Sequence, residues 1–389
     1  MRNFPLQWLR VLASLLNSFP DSTILRLFSR IAEEAINTDM LDNQDIQDLV
    51  TEHGSTVNQG RPIRQLIDDG EIPRLQGCTV LQGKVSDSLF GENLVTRSGI
   101  PLRLMFRNNR ISTHDVNRGA IPFKDQVLAY NHDHMLQLVQ QVLGSSQFHV
   151  AGLLPSSTVI PAENLQLIML ENVLRLYMAE SSTSTSLYQH WLQAKEDGKT
   201  VMQYAGHELT ISELEANSVL PYLMDTPSTK DKVDRTTDAQ SLVDAGVCTT
   251  AQYNQIRNSS VMAFGMISQY LAAKSMVLVD TKTEHGVNSK GDIVAADELY
   301  TMDSSRFWRL DESGELLTRD GKPVSFSKEF ARGMVKEMDQ QFNQEQANEI
   351  SMRYIQGLQL LTGESFSPDL RPRDERVVDS TNLILDALL

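Results

Sequence analysis

Apolar positions recur at two different spacings along this chain, and the change between them divides it. In STILRLFSRIAEEAI, Ile24, Leu25, Leu27, Phe28 and Ile31 fall near one helical stripe, with Asp21 and Ser22 placed to cap its start. Residues 1–75 therefore read as a mostly helical extension. From about residue 76 the pattern shortens: TVLQGKVSDSLFG and LRLMFRNNRIS are brief, apolar or β-branched, and bounded by Gly and Asn, which predicts a strand-rich small lobe over 76–168. Helical spacing returns in DQVLAYNHDHMLQLVQQVLG, through Val127, Leu128, Met135, Leu136, Val139 and Val142 to a stop at Gly144. It returns again over 250–274, where Tyr253, Ile256, Ser260, Phe264, Ile267 and Leu271 share a face. Residues 169–389 read as a larger α/β lobe with C-terminal helices.

The stretch VLVDTKTEHG, residues 277–286, departs from these patterns. It begins as a core strand and then carries Asp280, Lys282 and Glu284, which alternate geometry places on one face. After the turn VNSKG, DIVAADELYTMDSSRFW reads as a second strand ending in Asp297, Glu298, Asp303 and Arg306. An antiparallel hairpin would bring the two charged ends together. Hard carboxylate oxygens around a lysine suit Mg²⁺ working with substrate phosphates, and so a magnesium–nucleotide site for phosphoryl transfer.

Bulk properties narrow the partners. The 389 residues are 41% hydrophobic and 22% charged, ordinary for a globular protein. A formal charge of −15 argues against nucleic-acid binding. Cys78 and Cys248 lie far apart and read as buried apolar residues, not as zinc ligands or a disulfide. The N-terminus has an apolar run, but Arg10 and Asn17 interrupt it and no small-residue cleavage pattern follows. An amphipathic helix is expected there, not an export signal or a membrane span, and the cytoplasm is the expected compartment. His132 and His134, two apart, do not share a helix face and are expected at a solvated surface. Hydroxyls in AESSTSTSLYQHW suit a helix cap and a phosphate contact.

Taken together, LVDTKTEHG and DELYTMDSSRFW resemble the signature of the SAICAR synthetase (phosphoribosylaminoimidazole-succinocarboxamide synthase) family, whose pattern is D-x-K-x-E-F-G, a D-E pair and D-S-S-R-x-W. In the same order, QGKVSDSL is similar to G-K-V-R-D-V-Y, NRISTHDV to D-R-I-S-A-F-D, and IPFKDQVL to I-P-x-K-G. Further on, LENVLRLY, DTPSTK, VSFSKEFAR and RYIQGLQLLTG extend the likeness to about residue 365. The resemblance implies a two-lobed α+β fold with the active site in the cleft between lobes. It implies an enzyme that uses ATP and Mg²⁺ to join L-aspartate to the carboxylate of carboxyaminoimidazole ribotide, through an acyl phosphate, in purine biosynthesis. Its implied partners are small molecules; homo-oligomerisation stays open.

The same resemblance assigns residues. Gly83 and Lys84 would hold nucleotide phosphates with Lys282, and Glu284 and Asp297 would bind Mg²⁺ with Asp280 close by as a further metal or orienting carboxylate. Arg175, Ser186, Arg306 and Lys328 would grip the ribotide, Ser112 and Asp115 would position ribotide or aspartate, and Lys230 and Asp303 fall in matching loops. Asp280, Lys282 and Arg306 are the implied catalytic groups, and adenine would sit near Leu165–Met169. Four departures accompany the likeness. Ser86 stands where a second basic residue is usual, Asp125 replaces a glycine beside Lys124, Thr185 replaces the glycine before Ser186, and His285 replaces a phenylalanine. They leave open a related ligase for another carboxylate, or a nucleotide-binding protein without catalysis.

Overall fold

The computed structural model of the chain describes residues 40–83, 86–113, 116–230, 235–337 and 339–389. The helix expected over the first 36 residues, Lys84 and Asp115 lie outside these. Helix α1 (Asn43–Val57) starts at a capping box in which Asp42 accepts from the Gln44 and Asp45 amides while Asp45 accepts from the Asp42 amide. It buries Ile46, Val50 and Val57. Helix α2 (Ile63–Asp68) buries Ile63 and Leu66 in a different cluster, the core of the small lobe.

That lobe is an antiparallel sheet of β1 (Thr79–Gln82), β2 (Ser86–Val95), β3 (Pro101–Arg107) and, further along the chain, β6 (Val159–Glu163), in the order β1-β2-β3-β6. A hairpin of β4 (Arg110–Thr113) and β5 (Val116–Ala120) leads into helix α3 (Lys124–Leu143). The sheet's inner face supplies Leu89, Leu94, Leu102, Leu104 and Phe106 to a core completed by Val377, Ile384 and Leu385. Those three belong to the C-terminal helix, which the sequence reading placed with the larger lobe. A charged face and an apolar face on that helix are visible in sequence, but not which sheet it covers.

The larger sheet is also antiparallel. Its path is β10-β7-β12-β14-β17, built from β7 (Gln166–Tyr177), β10 (Val219–Asp225), β12 (Met276–Val287), β14 (Ser305–Arg309) and β17 (Ser325–Phe326). Between these come helix α4 (Leu187–Glu196), hairpin β8 (Val201–Tyr204) and β9 (His207–Thr210), β11 (Ser228–Thr229), and helices α5 (Ala239–Asp244) and α6 (Thr250–Ala272). Strand β13 (Ile293–Ala296) pairs with the far end of β12, and β15 (Thr318–Arg319) with β16 (Lys322–Pro323). Helices α7 (Glu329–Gly333), α8 (Gln344–Thr362) and α9 (Arg373–Leu388) follow. Phe264, Ile267 and Leu271 of α6 and Val127, Met135 and Val139 of α3 join Val277, Leu278 and Val279 in the main core, as the helical stripes predict.

Two sequence expectations change here. The stretch read as one second strand is two, β13 and β14, both on the same edge of β12, and residues 297–304 leave the sheet between them. Asp297 and Tyr300 take φ of 55° and 50° in that loop, conformations that favour glycine but that aspartate tolerates. The loop is pinned by α3: Asn131 donates to the Tyr300 carbonyl at 3.2 Å and accepts from the Met302 amide at 3.1 Å.

His132 also belongs to this anchor, so it is not at a solvated surface. It is buried, its Nδ1 accepts from the Leu299 amide at 3.0 Å, and its Nε2 lies 3.1 Å from Gln147 Oε1. Accepting at Nδ1 fixes the proton on Nε2. Burial, and then the Arg107 charge, lower its pKa to about 4, so the ring stays neutral. His134, half-buried, meets the Tyr270 hydroxyl at 2.7 Å. Cys78 and Cys248 are free and buried. Among the described residues no helix is long and apolar enough to cross a membrane.

Candidate active site

Strand β12 lies between β7 and the β13/β14 edge, so its charged residues have partners on both sides. Register places Asp280 opposite Arg175 of β7 and opposite Arg306 of β14. Arg306 forms a fork on Asp280, with Nε 2.8 Å from Oδ1 and Nη2 bonded to Oδ2, and Arg175 Nη1 donates to Oδ2 at 2.9 Å. Burial alone would raise the Asp280 carboxyl, but Arg306 and then Arg175 outweigh it and hold the group below the usual carboxylate range. Both Asp280 oxygens are thus engaged by guanidinium groups of the two neighbouring strands.

Two residues along the strand, Lys282 donates to Glu171 Oε1 at 2.5 Å and lies 3.8 Å from Glu284 Oε1. Glu284 is bonded through Oε2 to Lys230, which brings the DTPSTK loop to the row. Asp297 directly follows Ala296, the register partner of Glu284, and is half-exposed; burial opposes the Lys282 charge, but Glu171 first, and then Glu298 and Asp297, hold its pKa above the ordinary lysine value. Asp303 sits lower in the loop. Its Oδ2 is 2.9 Å from Lys124 Nζ and 3.9 Å from Lys328 Nζ, and the Tyr354 hydroxyl donates to Oδ1.

Other expected site residues stand outside this network. Gly83 closes the β1–β2 turn by donating to the Ser86 carbonyl at 3.0 Å, and a Cβ there would lie 2.3 Å from that oxygen, so the close approach requires glycine. Arg110 clamps the same turn, reaching the Gly83 carbonyl at 2.9 Å and Asp87 at 2.8 Å. Ser112 lies in the β4–β5 hairpin opposite Asn117. The Ser186 hydroxyl caps α4 by accepting from the Gln189 amide at 3.2 Å. Leu165–Met169 spans the junction where β6 of the small sheet gives way to β7 of the large one, and Met169 is exposed there.

Sequence reading missed Glu171, Arg107, Lys124 and Tyr354 as members of this site. Glu171 was recoverable, since it shares a strand face with Arg175 in LENVLRLY. Lys124 stood in a quoted motif, but nothing local shows that it points at Asp303.

The departures are mostly absorbed. Asp125, which replaces a glycine beside Lys124, is fully buried and turned to Arg376 of α9, 3.2 Å away. Asp125→Asn should therefore cost about 3–5 kcal/mol by leaving Arg376 buried without a counter-charge, with ADP affinity unchanged. Urea melts and calorimetry check both halves. Thr185 needs no positive φ, and its carbonyl accepts from the Tyr204 hydroxyl at 3.1 Å. His285 is buried, has no partner for either ring nitrogen among the described residues, and is lowered to about 4 by burial, so it packs as a neutral ring.

A cavity of about 900 Å³ has Arg306 on its wall, with Arg319, Lys322, Arg332 and Arg353 set among Glu180, Asp320, Glu329 and Glu349. A second, of about 550 Å³, lies at the Cys248–Thr249 end of the sheet and has no charged side chain in its lining.

Comparison with known proteins decides the family. The SAICAR synthetase profile matches residues 97–349. The chain belongs to the SAICAR synthetase family. Among the relatives of this family member, phosphoribosylaminoimidazole-succinocarboxamide synthase of Legionella pneumophila (strain Lens) is 30% identical over 75% of this chain and 90% of its own length. A putative phosphoribosylaminoimidazole-succinocarboxamide synthase 2 of Agrobacterium fabrum is 27% identical over 78% of this chain and 93% of its own. In fold, the chain is similar to the SAICAR synthase of Saccharomyces cerevisiae complexed with SAICAR, with a TM-score of 0.60 at 20% identity over 76% of this chain and 98% of that one. It is also similar to a type-2 SAICAR synthetase solved in complex with ADP, with a TM-score of 0.54 at 19% identity over 75% of this chain and 100% of that one. The two-lobed α+β family fold expected from the sequence is the fold observed.

Proposed function

We propose that this chain is an ATP-dependent ligase that joins L-aspartate to the carboxylate of carboxyaminoimidazole ribotide, giving the succinocarboxamide, ADP and phosphate. The observation that carries the reading is the row on β12, in which a carboxylate aims two arginines at one end while lysines and a carboxylate meet at the other.

The ribotide carboxylate is a poor electrophile, so its oxygen attacks the γ-phosphorus of ATP and ADP leaves. The aspartate nitrogen, having lost a proton from its ammonium form, attacks the acyl carbon; the C–O bond breaks and inorganic phosphate departs. Arg175 and Arg306, held by Asp280, suit the anionic ribotide as two oriented, permanently charged guanidinium groups, with Asp280 itself occupying the Arg306 fork. Lys282, Gly83 and Lys84 suit the nucleotide phosphates, and the apolar junction near Leu165–Met169 suits adenine.

Among the described residues no group of three or more His, Cys, Asp or Glu side chains forms a cage for an ion. The two carboxylates at the Lys282 end of the row, Glu284 and Asp297, fit Mg²⁺, which commonly takes one or two carboxylates and completes its shell with substrate phosphates and water. Asp297 and Glu284 are the oxygens offered for it, and when bound it would supply charge neutralisation of the phosphates.

The test is ADP release by the purified chain given ATP, Mg²⁺, L-aspartate and the ribotide. Release should require both co-substrates and fall by at least about 10²-fold in Asp297→Asn. Turnover that ignores the ribotide would sink the reading.

A further inference from the structure

Arg107 ends β3 with its side chain only 1% exposed. Its Nη1 is 3.4 Å from Ser86 Oγ, 3.5 Å from Glu298 Oε2 and 3.9 Å from Asp297 Oδ1. Its Nε and Nη2 are buried with no acceptor among the described residues. The backbone is fixed on both sides: the Arg107 amide donates to the Thr158 carbonyl at 2.8 Å, and its carbonyl accepts from Arg373 Nη2 at 3.1 Å. A buried guanidinium with spare donors is therefore held from the small lobe against the acidic loop of the large one.

Its register partner explains why position 86 is small and uncharged. Ser86 and Arg107 lie directly opposite one another on β2 and β3. Side chains so placed have Cβ atoms about 4.5–5.5 Å apart, and like charges there repel. A basic residue at 86 would face Arg107 across the ladder; serine accepts one of its N–H groups.

We infer that Arg107 is a positioning residue for the metal–nucleotide site, supplying from β3 the small-lobe cation that position 86 lacks and holding Asp297 and Glu298 in place. This rests on the nucleotide reading above. A partner that orients a metal-binding carboxylate commonly contributes 10–100-fold to metal affinity without touching the metal.

Calorimetric titration of the full chain with ADP, with and without Mg²⁺, tests it without reference to turnover. Arg107→Met should weaken ADP binding in Mg²⁺ by about tenfold or more, with a much smaller change when Mg²⁺ is absent. Ser86→Arg should also weaken it, through like-charge opposition, and Ser86→Arg combined with Arg107→Met should recover most of the loss. Losses that simply add in the double variant overturn the pairing. Recovery on combining Arg107→Met with Glu298→Gln also overturns it, because the arginine would then only offset Glu298. Should Arg107→Met not fold, Ser86→Arg decides: unchanged Mg²⁺–ADP affinity in a folded variant refutes the pairing, and a loss supports it. No ADP binding by the unmodified chain would instead remove the nucleotide reading itself, whereas normal binding that Arg107→Met leaves intact removes this inference alone.

Discussion

Asp280→Asn should lower kcat/KM for the ribotide by about 10²–10³-fold and stability by about 3 kcal/mol. An amide fills the same space but cannot neutralise Arg175 and Arg306, which are left as neighbouring cations within a largely buried site. Losing the fork on Arg306 also frees its guanidinium to turn, so the effect should fall on the ribotide and leave KM for ATP nearly constant. Initial rates with each substrate varied in turn, beside a urea melt, measure both parts. A variant whose ribotide kinetics match the native chain would remove Asp280 from the site. The pH dependence has a definite sign. Because the folded pKa is depressed, the stabilisation is present above the unfolded value, about 3.9, and disappears as pH falls through the folded one.

Asp303→Asn should destabilise the chain by about 3–5 kcal/mol, as much as Asp125→Asn. Its carboxylate is buried between Lys124, which is fully buried, and Lys328, with Tyr354 donating to the other oxygen. Burial would raise the Asp303 pKa, but Lys124, Lys328 and the Tyr354 hydroxyl together hold it at about 2. Native stability should consequently hold down to about pH 4 and decline toward pH 2, and in the variant that decline should be shallower, with the Asp280 contribution left. Lys328 is already held below the ordinary lysine range by burial, which the Asp303 charge partly offsets. Removing that charge should move the alkaline limb of the pH–rate profile to lower pH. Denaturant melts at pH 7 and pH 3, with rates across the alkaline range, would show either result; an unshifted alkaline limb would separate Lys328 from the chemistry.

The parts of this site that were legible in sequence are those written within one element. Period-two spacing is a property of any extended strand, so Asp280, Lys282 and Glu284 could be put on one face before their surroundings were known. The apolar stripes of α3 and α6 were legible for the corresponding reason at helical period. What was not legible depends on distant pairing. The interruption at Asp297 follows apolar residues that continue a strand pattern, and it is set by Asn131 and His132, which reach the loop from α3. Asp125 looked like an intrusion because its counter-charge, Arg376, lies 251 residues away. Arg107 could be seen only once the β2–β3 register was known, since a one-residue slip would turn it to the opposite face.

The small-lobe core has a consequence for how the chain is made. Its strands appear early, yet Val377, Ile384 and Leu385 complete the cluster that contains Leu89, Leu104 and Phe106. Ribosomes add about 5–20 residues each second and domains usually consolidate in order of synthesis. Here the first sheet to emerge must wait, with part of its apolar face uncovered, until the final helix has been translated. The lobe that emerges first is therefore the one that finishes last, and chaperone contact during synthesis should concentrate on residues 79–107.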